Sequence, residues 1–149
     1  MEARSFRGRV SPLSLLTERG FLVEILDHFR GQIEQELREV LGMADTHGGI
    51  DVMLGYHMGF CNPEGTAAEL PKGKYLRPAL SLAMCSALGG VAAHALGAAA
   101  SIELAHRASL IFDDIQDQGK ERNKRPTVWT VWGPEQAINA GLALSCFAR

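Results

Sequence analysis

The 149-residue chain offers little to a disulfide framework, a nucleic-acid surface or a β-sheet. Its three cysteines, Cys61, Cys85 and Cys146, are odd in number, widely separated and without CxxC or Cys/His spacing. They suit buried apolar positions in a reducing compartment better than a disulfide or zinc framework. Cations do not outnumber anions: 15 Lys+Arg face 17 Asp+Glu, a net charge of −2. That lacks the basic surplus a phosphate-backbone binder needs, so no nucleic-acid partner is expected. Arg4, Arg7 and Arg9 are not followed by the apolar core of a secretory signal, which leaves the cytoplasm as the expected address. Aromatic residues make up 7% of the chain, strand-like alternation is nearly absent, and there is neither a repeat of fixed period nor a low-complexity tract.

What is present is helical. Hydrophobic residues account for 46% of the chain, and a domain of this length buries roughly 70% of the surface exposed by its unfolded chain. From Pro12 to Leu41, Leu15, Leu16, Leu22, Val23, Leu26, Phe29, Ile33, Leu37 and Val40 recur at steps of three and four, the pattern of an amphipathic helix, with a break expected near Gly20. Met43 to Gly49 reads as a loop, Ile50 to Gly59 as a short helix, and Cys61 to Lys74 as a longer connection. From Ala79 to Ala100 there is no Asp, Glu, Lys or Arg. Such a run raises a transmembrane reading, but Ala, Gly and Ser dominate it, His94 lies within it and Gly89-Gly90 interrupts it. It therefore predicts no transmembrane segment but two helices buried inside an all-α bundle. The second runs from near Val91 to Asp117, where Gln118-Gly119 ends it. Pro134 opens a last helix, still apolar at Leu142, Leu144 and Phe147 when the sequence reaches Arg149. No helix-stop signal precedes that point, so the bundle is expected to be incomplete at its C-terminus.

Two charge clusters have the wrong sign for their places. Asp113, Asp114 and Asp117 follow the apolar Leu110-Ile111-Phe112 at a helix C-terminus, whose partial negative charge disfavours each carboxylate by ~0.3–1 kcal/mol. At about 100° per residue, Asp113 and Asp117 lie about 40° apart, one turn along one face, with His106 between them in direction and two turns earlier. Two carboxylates so placed form an open oxygen rim that suits Mg²⁺, which keeps waters and shares a phosphate, better than Ca²⁺. The plain alternative is a solvated helix end paired with Lys120 and Arg122. Lys72, Lys74 and Arg77 gather just before the helix expected over Ala79 to Leu88, at an end whose dipole is already positive. An anion with several oxygens would reconcile them, taking bonds from free backbone N–H groups, the Lys ammonium and the Arg fork; a solvated basic loop is the alternative. Arg122, Lys124 and Arg125 add a third set of cations beside the carboxylates. Together the clusters describe a diphosphate site above an apolar pocket.

The string His106-Arg-Ala-Ser-Leu-Ile-Phe-Asp113-Asp114-Ile-Gln-Asp117, followed by Arg122-Asn-Lys-Arg-Pro-Thr127, resembles the first aspartate-rich motif of the trans-isoprenyl diphosphate synthases, also called polyprenyl synthetases. Gly73-Lys74-Tyr-Leu-Arg77-Pro78 is similar to that family's GKxxRP motif, and Ala137-Ile-Asn-Ala-Gly141 to the start of its next helix. The resemblance implies a helical bundle of the isoprenoid synthase type, acting as a prenyltransferase. Mg²⁺ on Asp113 and Asp117, supported by Asp114, would hold an allylic prenyl diphosphate, with Arg122 on that diphosphate. Lys74, Arg77 and His106 would bind isopentenyl diphosphate; for His106 a hydrogen-bonded core histidine is the competing reading. Small residues at Ala108 and Ser109, in the family's chain-length pocket, imply a product longer than farnesyl, geranylgeranyl or beyond. The family usually forms dimers, so a homodimer is expected.

Three positions depart from the family pattern. Asn123 stands where a second Arg is usual, Tyr75 replaces a common Arg, and Leu142 a common Asp. They affect the isopentenyl half of the site more than the allylic half. The family's second aspartate-rich motif has no counterpart here, since Asp27, Asp45 and Asp51 are isolated. Residues 1–149 therefore read as the N-terminal part of a single isoprenoid synthase domain. The alternatives are one piece of a split enzyme completed by a complementary subunit, a non-catalytic subunit, and, from Asn123 and Tyr75, a terpene cyclase on the same scaffold.

Overall fold

The computed structural model describes residues 18–43 and 48–149. Arg4, Arg7, Arg9, Leu15 and Leu16, with Asp45 and most of the expected loop before Gly49, lie outside them. Among the described residues six helices follow one another: α1 (Glu18–Val40), α2 (Ile50–Met58), α3 (Leu76–Ala87), α4 (Leu96–Gln116), α5 (Val128–Trp132) and α6 (Pro134–Phe147), with a 3-10 turn over Ala92–Ala95. The helix α1 runs through Gly20 without a break. Its stripe of Ile25, Phe29, Ile33, Leu37 and Leu41 is buried, each one turn from the next, and faces α3 and α4. The central helix is α4, which packs against α6, α3 and α1.

Close approach of α6 to α4 depends on Gly141, where a methyl group would stand 2.7 Å from the Phe112 ring. At the end of α2, Gly59 takes φ 83° and its N–H closes onto Tyr56 O at 2.9 Å, while an added Cβ would meet Lys72 Cγ at 2.7 Å. Glycine is required there on both counts. The connection from Gly59 to Tyr75 then folds back on α1. Lys72 Nζ reaches Glu34 Oε2 at 2.8 Å and also pairs with Glu69, and it stands 5.0 Å over the Phe60 ring. Arg38 ties the same Glu69 at 2.7 Å.

Further expectations need correction. The helix α3 begins at Leu76 rather than Ala79, so Arg77 and Pro78 lie in its first turn, where a missing N–H costs nothing. It is not apolar on a wholly buried surface: Ala79 and Leu82 are buried, but Leu76, Leu80, Met84 and Leu88 form an exposed stripe at four-residue spacing. Of the cysteines only Cys61 is buried; Cys146 is exposed and all three are free thiols. Finally, the charged loop after α4 holds a small antiparallel hairpin, β1 (Glu121–Arg122) with β2 (Arg125–Pro126). Its two-residue tip, Asn123-Lys124, has φ of 53° and 61°, the twist that two-residue hairpins require and that Asn tolerates best among non-glycine residues. Among the described residues no helix is long and apolar enough to cross a membrane.

Candidate active site

The last turn of α4 sorts its aspartates. Asp113 and Asp117 are exposed and Asp114 is buried, as successive helical positions turn away from one another. The helix stops because Gln118 turns to φ 53°, with the Asp117 and Gly119 N–H groups bonding Asp113 O and Asp114 O at 2.8 and 2.9 Å. Asp114 is held by Arg122 of β1, whose Nε lies 3.0 Å and Nη2 2.8 Å from Oδ1. That hydrogen-bonded carboxylate holds the Arg122 guanidinium above its ordinary pKa. The exposed pair offers two hard oxygen donors one turn apart. Among the described residues no three carboxylate, imidazole or thiolate groups converge on one metal position. Two protein carboxylates fit Mg²⁺, which completes its shell with water and phosphate oxygens.

Along α4, on the side toward α3, a cavity of about 230 Å³ has Lys74, Arg77, His106, Arg107, Arg122, Asn123 and Glu103 in its lining. Lys74 and Arg77 are exposed and flank Tyr75, the N-cap of α3, which sits at φ 54°. The first amides of α3 begin beside them, adding the positive end of a helix. His106 is half-buried; burial, then the Arg77 charge, push its pKa down, so it is mostly neutral at pH 7 while no anion is bound. Four of the cationic or imidazole residues singled out in the sequence thus surround one space: Lys74, Arg77, His106 and Arg122.

Other expected members stand elsewhere. Lys72 is spent in its ion pairs with Glu34 of α1 and with Glu69 of its own connection. Arg125 turns away from the cavity and donates to Tyr56 O at 2.7 Å and His57 O at 3.4 Å, satisfying carbonyls at the end of α2. Tyr56 Oη returns a bond to Pro126 O at 2.8 Å, and Tyr56 meets Trp132 edge-on at 5.1 Å, so the hairpin is latched to α2. Ala108 is buried in the core, whereas Ser109 is exposed and its hydroxyl donates to His106 O at 2.7 Å. Neither lines the cavity. Leu142 is exposed on α6.

Sequence reasoning missed three buried polar residues. Arg107 and Glu103, four residues apart on α4, form an ion pair at 2.7 Å with side chains 2% and 3% exposed. His57 Nε2 lies 3.0 Å from Arg107 O, and burial, then the Arg107 charge, lower its pKa to about 3. The available signal was the four-residue spacing of Glu103 and Arg107 on a helix otherwise apolar at those turns.

Residues 66–149, more than half of the chain, match the polyprenyl synthetase family. The chain is 43% identical over 96 residues, 64% of its own length, to a geranylgeranyl diphosphate synthase of Mycobacterium tuberculosis, covering 27% of that protein. It is 35% identical over 117 residues, 78% of its length, to a (2E,6E)-farnesyl diphosphate synthase of Mycobacterium bovis, covering 32% of that relative. The fold superposes on the crystal structure of a polyprenyl synthetase from Streptomyces coelicolor with a TM-score of 0.76 at 32% identity, over 85% of this chain and 37% of that one. The chain thus spans about a third of the length of the relatives it matches. With GKxxRP and the aspartate-rich turn brought beside each other on α3 and α4, and with the fold and the sequence matching the same proteins, this chain belongs to the polyprenyl synthetase family.

Proposed function

We propose that this chain supplies the first half of a Mg²⁺-dependent trans-prenyltransferase site, which condenses isopentenyl diphosphate with an allylic prenyl diphosphate. The observation that carries the reading is the convergence of Lys74, Arg77, His106 and Arg122 on one cavity, with Arg122 also bonded to Asp114 of the turn that exposes Asp113 and Asp117. Asp113 and Asp117 would hold magnesium, which when bound supplies Lewis-acid neutralisation of the allylic diphosphate. Asp114 acts through Arg122, fixing a guanidinium that accompanies the departing diphosphate. Lys74, Arg77 and His106 hold isopentenyl diphosphate. Cleavage of the allylic C–O bond leaves a cation; the double bond of isopentenyl diphosphate adds to it, and loss of a proton restores a double bond in a chain longer by one isoprene unit.

In this reading residues 1–149 form the N-terminal part of one isoprenoid synthase domain, and the second aspartate-rich segment comes from further sequence or from a complementary subunit. The exposed stripes of α3 and of α6, the latter with Ile138, Leu142 and Phe147, support it, since apolar helix faces of this kind are normally covered. The assembly is a homodimer or such a two-part synthase, located in the cytoplasm. Relatives carry both geranylgeranyl and farnesyl names, so a product of geranylgeranyl length or longer rests on the small Ala108 and Ser109. The motive for a terpene cyclase is weak, because Asn123 and Tyr75 have local reasons for being there: the hairpin tip for one, the buried cap of α3 for the other.

Two measurements test this. Magnesium and an unreactive allylic diphosphate analogue should bind together to the chain by calorimetry, with Asp113→Asn and Asp117→Asn abolishing the magnesium dependence. Labelled isopentenyl diphosphate with an allylic primer should be turned over only when a second aspartate-rich segment is present; turnover by residues 1–149 by themselves would contradict the half-site.

A further inference from the structure

Arg107 is the largest fully buried side chain of the described residues, and it lies beneath the loop that carries Lys74. Its Nε donates to Glu103 Oε1 at 2.7 Å, but its Nη2 is buried without a partner. What Nη2 faces is Gly73: a methyl there would stand 2.7 Å from Nη2 and 3.4 Å from Cζ. Two residues on, the Tyr75 ring has the Arg107 guanidinium over it at 5.6 Å and that of Arg30 at 5.7 Å, a cation–π contact on each count. Tyr75 is itself buried, at φ 54°, with an unpartnered hydroxyl. A bulky residue held in the left-handed region persists only where its surroundings over-determine it. Here the surroundings are Arg107, fixed from one side by Glu103 and from the backbone by His57.

We propose that Arg107, locked by Glu103, is the positioning residue of the isopentenyl diphosphate half of the site: it sets the path of Gly73 to Tyr75 and so the directions from which Lys74 and Arg77 reach the cavity. This rests on the reading that Lys74, Arg77 and His106 bind isopentenyl diphosphate. Arg107 lies in the wall of the same cavity, but with its side chain 2% exposed it acts through Gly73 to Tyr75 and not by contact with substrate. Glycine at 73 is then a requirement of Arg107 and not of the phosphate, because its missing Cβ is the space the guanidinium fills.

The test is calorimetric titration of this chain with isopentenyl diphosphate and, separately, with magnesium plus an unreactive allylic diphosphate analogue. Arg107→Lys keeps the charge and loses the planar fork; Gly73→Ala presses a methyl onto Nη2. Each should weaken isopentenyl diphosphate binding about tenfold while the allylic affinity stays within about twofold, and the losses should be less than additive in the double variant. A merely structural role would lower both affinities in proportion to the folded fraction read by circular dichroism, and that result, or single variants that bind like wild type, overturns the proposal. Should Arg107→Lys not fold, Gly73→Ala carries the test unaided. A wild-type chain that binds the allylic analogue but not isopentenyl diphosphate overturns the assignment of Lys74, Arg77 and His106, and the role of Arg107 with it.

Discussion

Arg122 grips Asp114 with two nitrogens, Nε 3.0 and 3.1 Å from the two carboxylate oxygens and Nη2 2.8 Å from Oδ1. The middle aspartate of the turn is thereby committed to the hairpin, while its neighbours Asp113 and Asp117 remain exposed.

The aspartates should therefore separate in their effects. Asp114→Asn removes the charge from a buried, doubly bonded acceptor and should lower stability by about 1–3 kcal/mol, nearer the lower figure because Arg122 is partly solvated. Asp113→Asn, at an exposed position, should change stability by less than about 0.5 kcal/mol yet remove the thermal shift produced by magnesium with a prenyl diphosphate analogue. Equal losses of Tm in the ligand-free variants would refute the division.

Arg125 acts as a latch and not as a phosphate grip. Arg125→Met should remove the guanidinium donor from the His57 carbonyl and leave Tyr56 O with only the Gly59 N–H, at a cost of about 1–3 kcal/mol. Limited proteolysis should then cut faster between residues 119 and 127, whereas Lys124→Met, at the exposed hairpin tip, should leave the cutting rate unchanged.

Acid sensitivity should trace to His57. Its folded pKa of about 3 lies below the 6.5 of an unperturbed imidazole, so between those values the unfolded chain binds the extra proton and stability rises with pH. The contribution is complete above about pH 6.5 and disappears as the pH falls toward 3. Wild type and His57→Gln, which keeps an N–H for the Arg107 carbonyl, should differ in the pH dependence of unfolding by up to about 1.4 kcal/mol per pH unit across that window. Parallel curves from urea melts would remove His57 as the cause.

Gly141→Val should force α6 away from α4. The Phe112 ring already stands 2.7 Å from where a methyl would go, and overpacking of this kind costs about 1–3 kcal/mol. Phe112→Leu in the same chain should recover part of the loss, as measured by denaturant midpoint.

Periodicity identified the long helices because a buried stripe such as Ile25 to Leu41 repeats with the helical turn. It could not say which apolar helix is covered: composition treats Leu80 and Leu82 alike, and only packing distinguishes the exposed one from the buried one. The hairpin escaped notice because two residues per strand carry no alternation, and Asn123-Lys124 lacks the glycine that usually marks such a tip. At the site, charge clustering and motif likeness pointed to Lys74, Arg77, His106 and the aspartates. Direction was beyond them. Arg122 and Arg125 lie three residues apart in the same loop, yet one bonds an aspartate of α4 and the other the end of α2. Arg107 was hidden for a different reason: a buried cation beside an apolar run has no sequence signature other than its partner Glu103.

The left-handed tip at Asn123 and Lys124 sets a limit for anyone redesigning this site. Grafting an arginine onto position 123, to return the family's usual pair, would place a long side chain on a backbone dihedral that costs most L-residues roughly 1–2 kcal/mol. The added charge would arrive on a loosened β-turn. A graft that also converts Lys124 to glycine would relieve the strain at one of the two left-handed positions, and should retain more of the intended affinity than the arginine by itself.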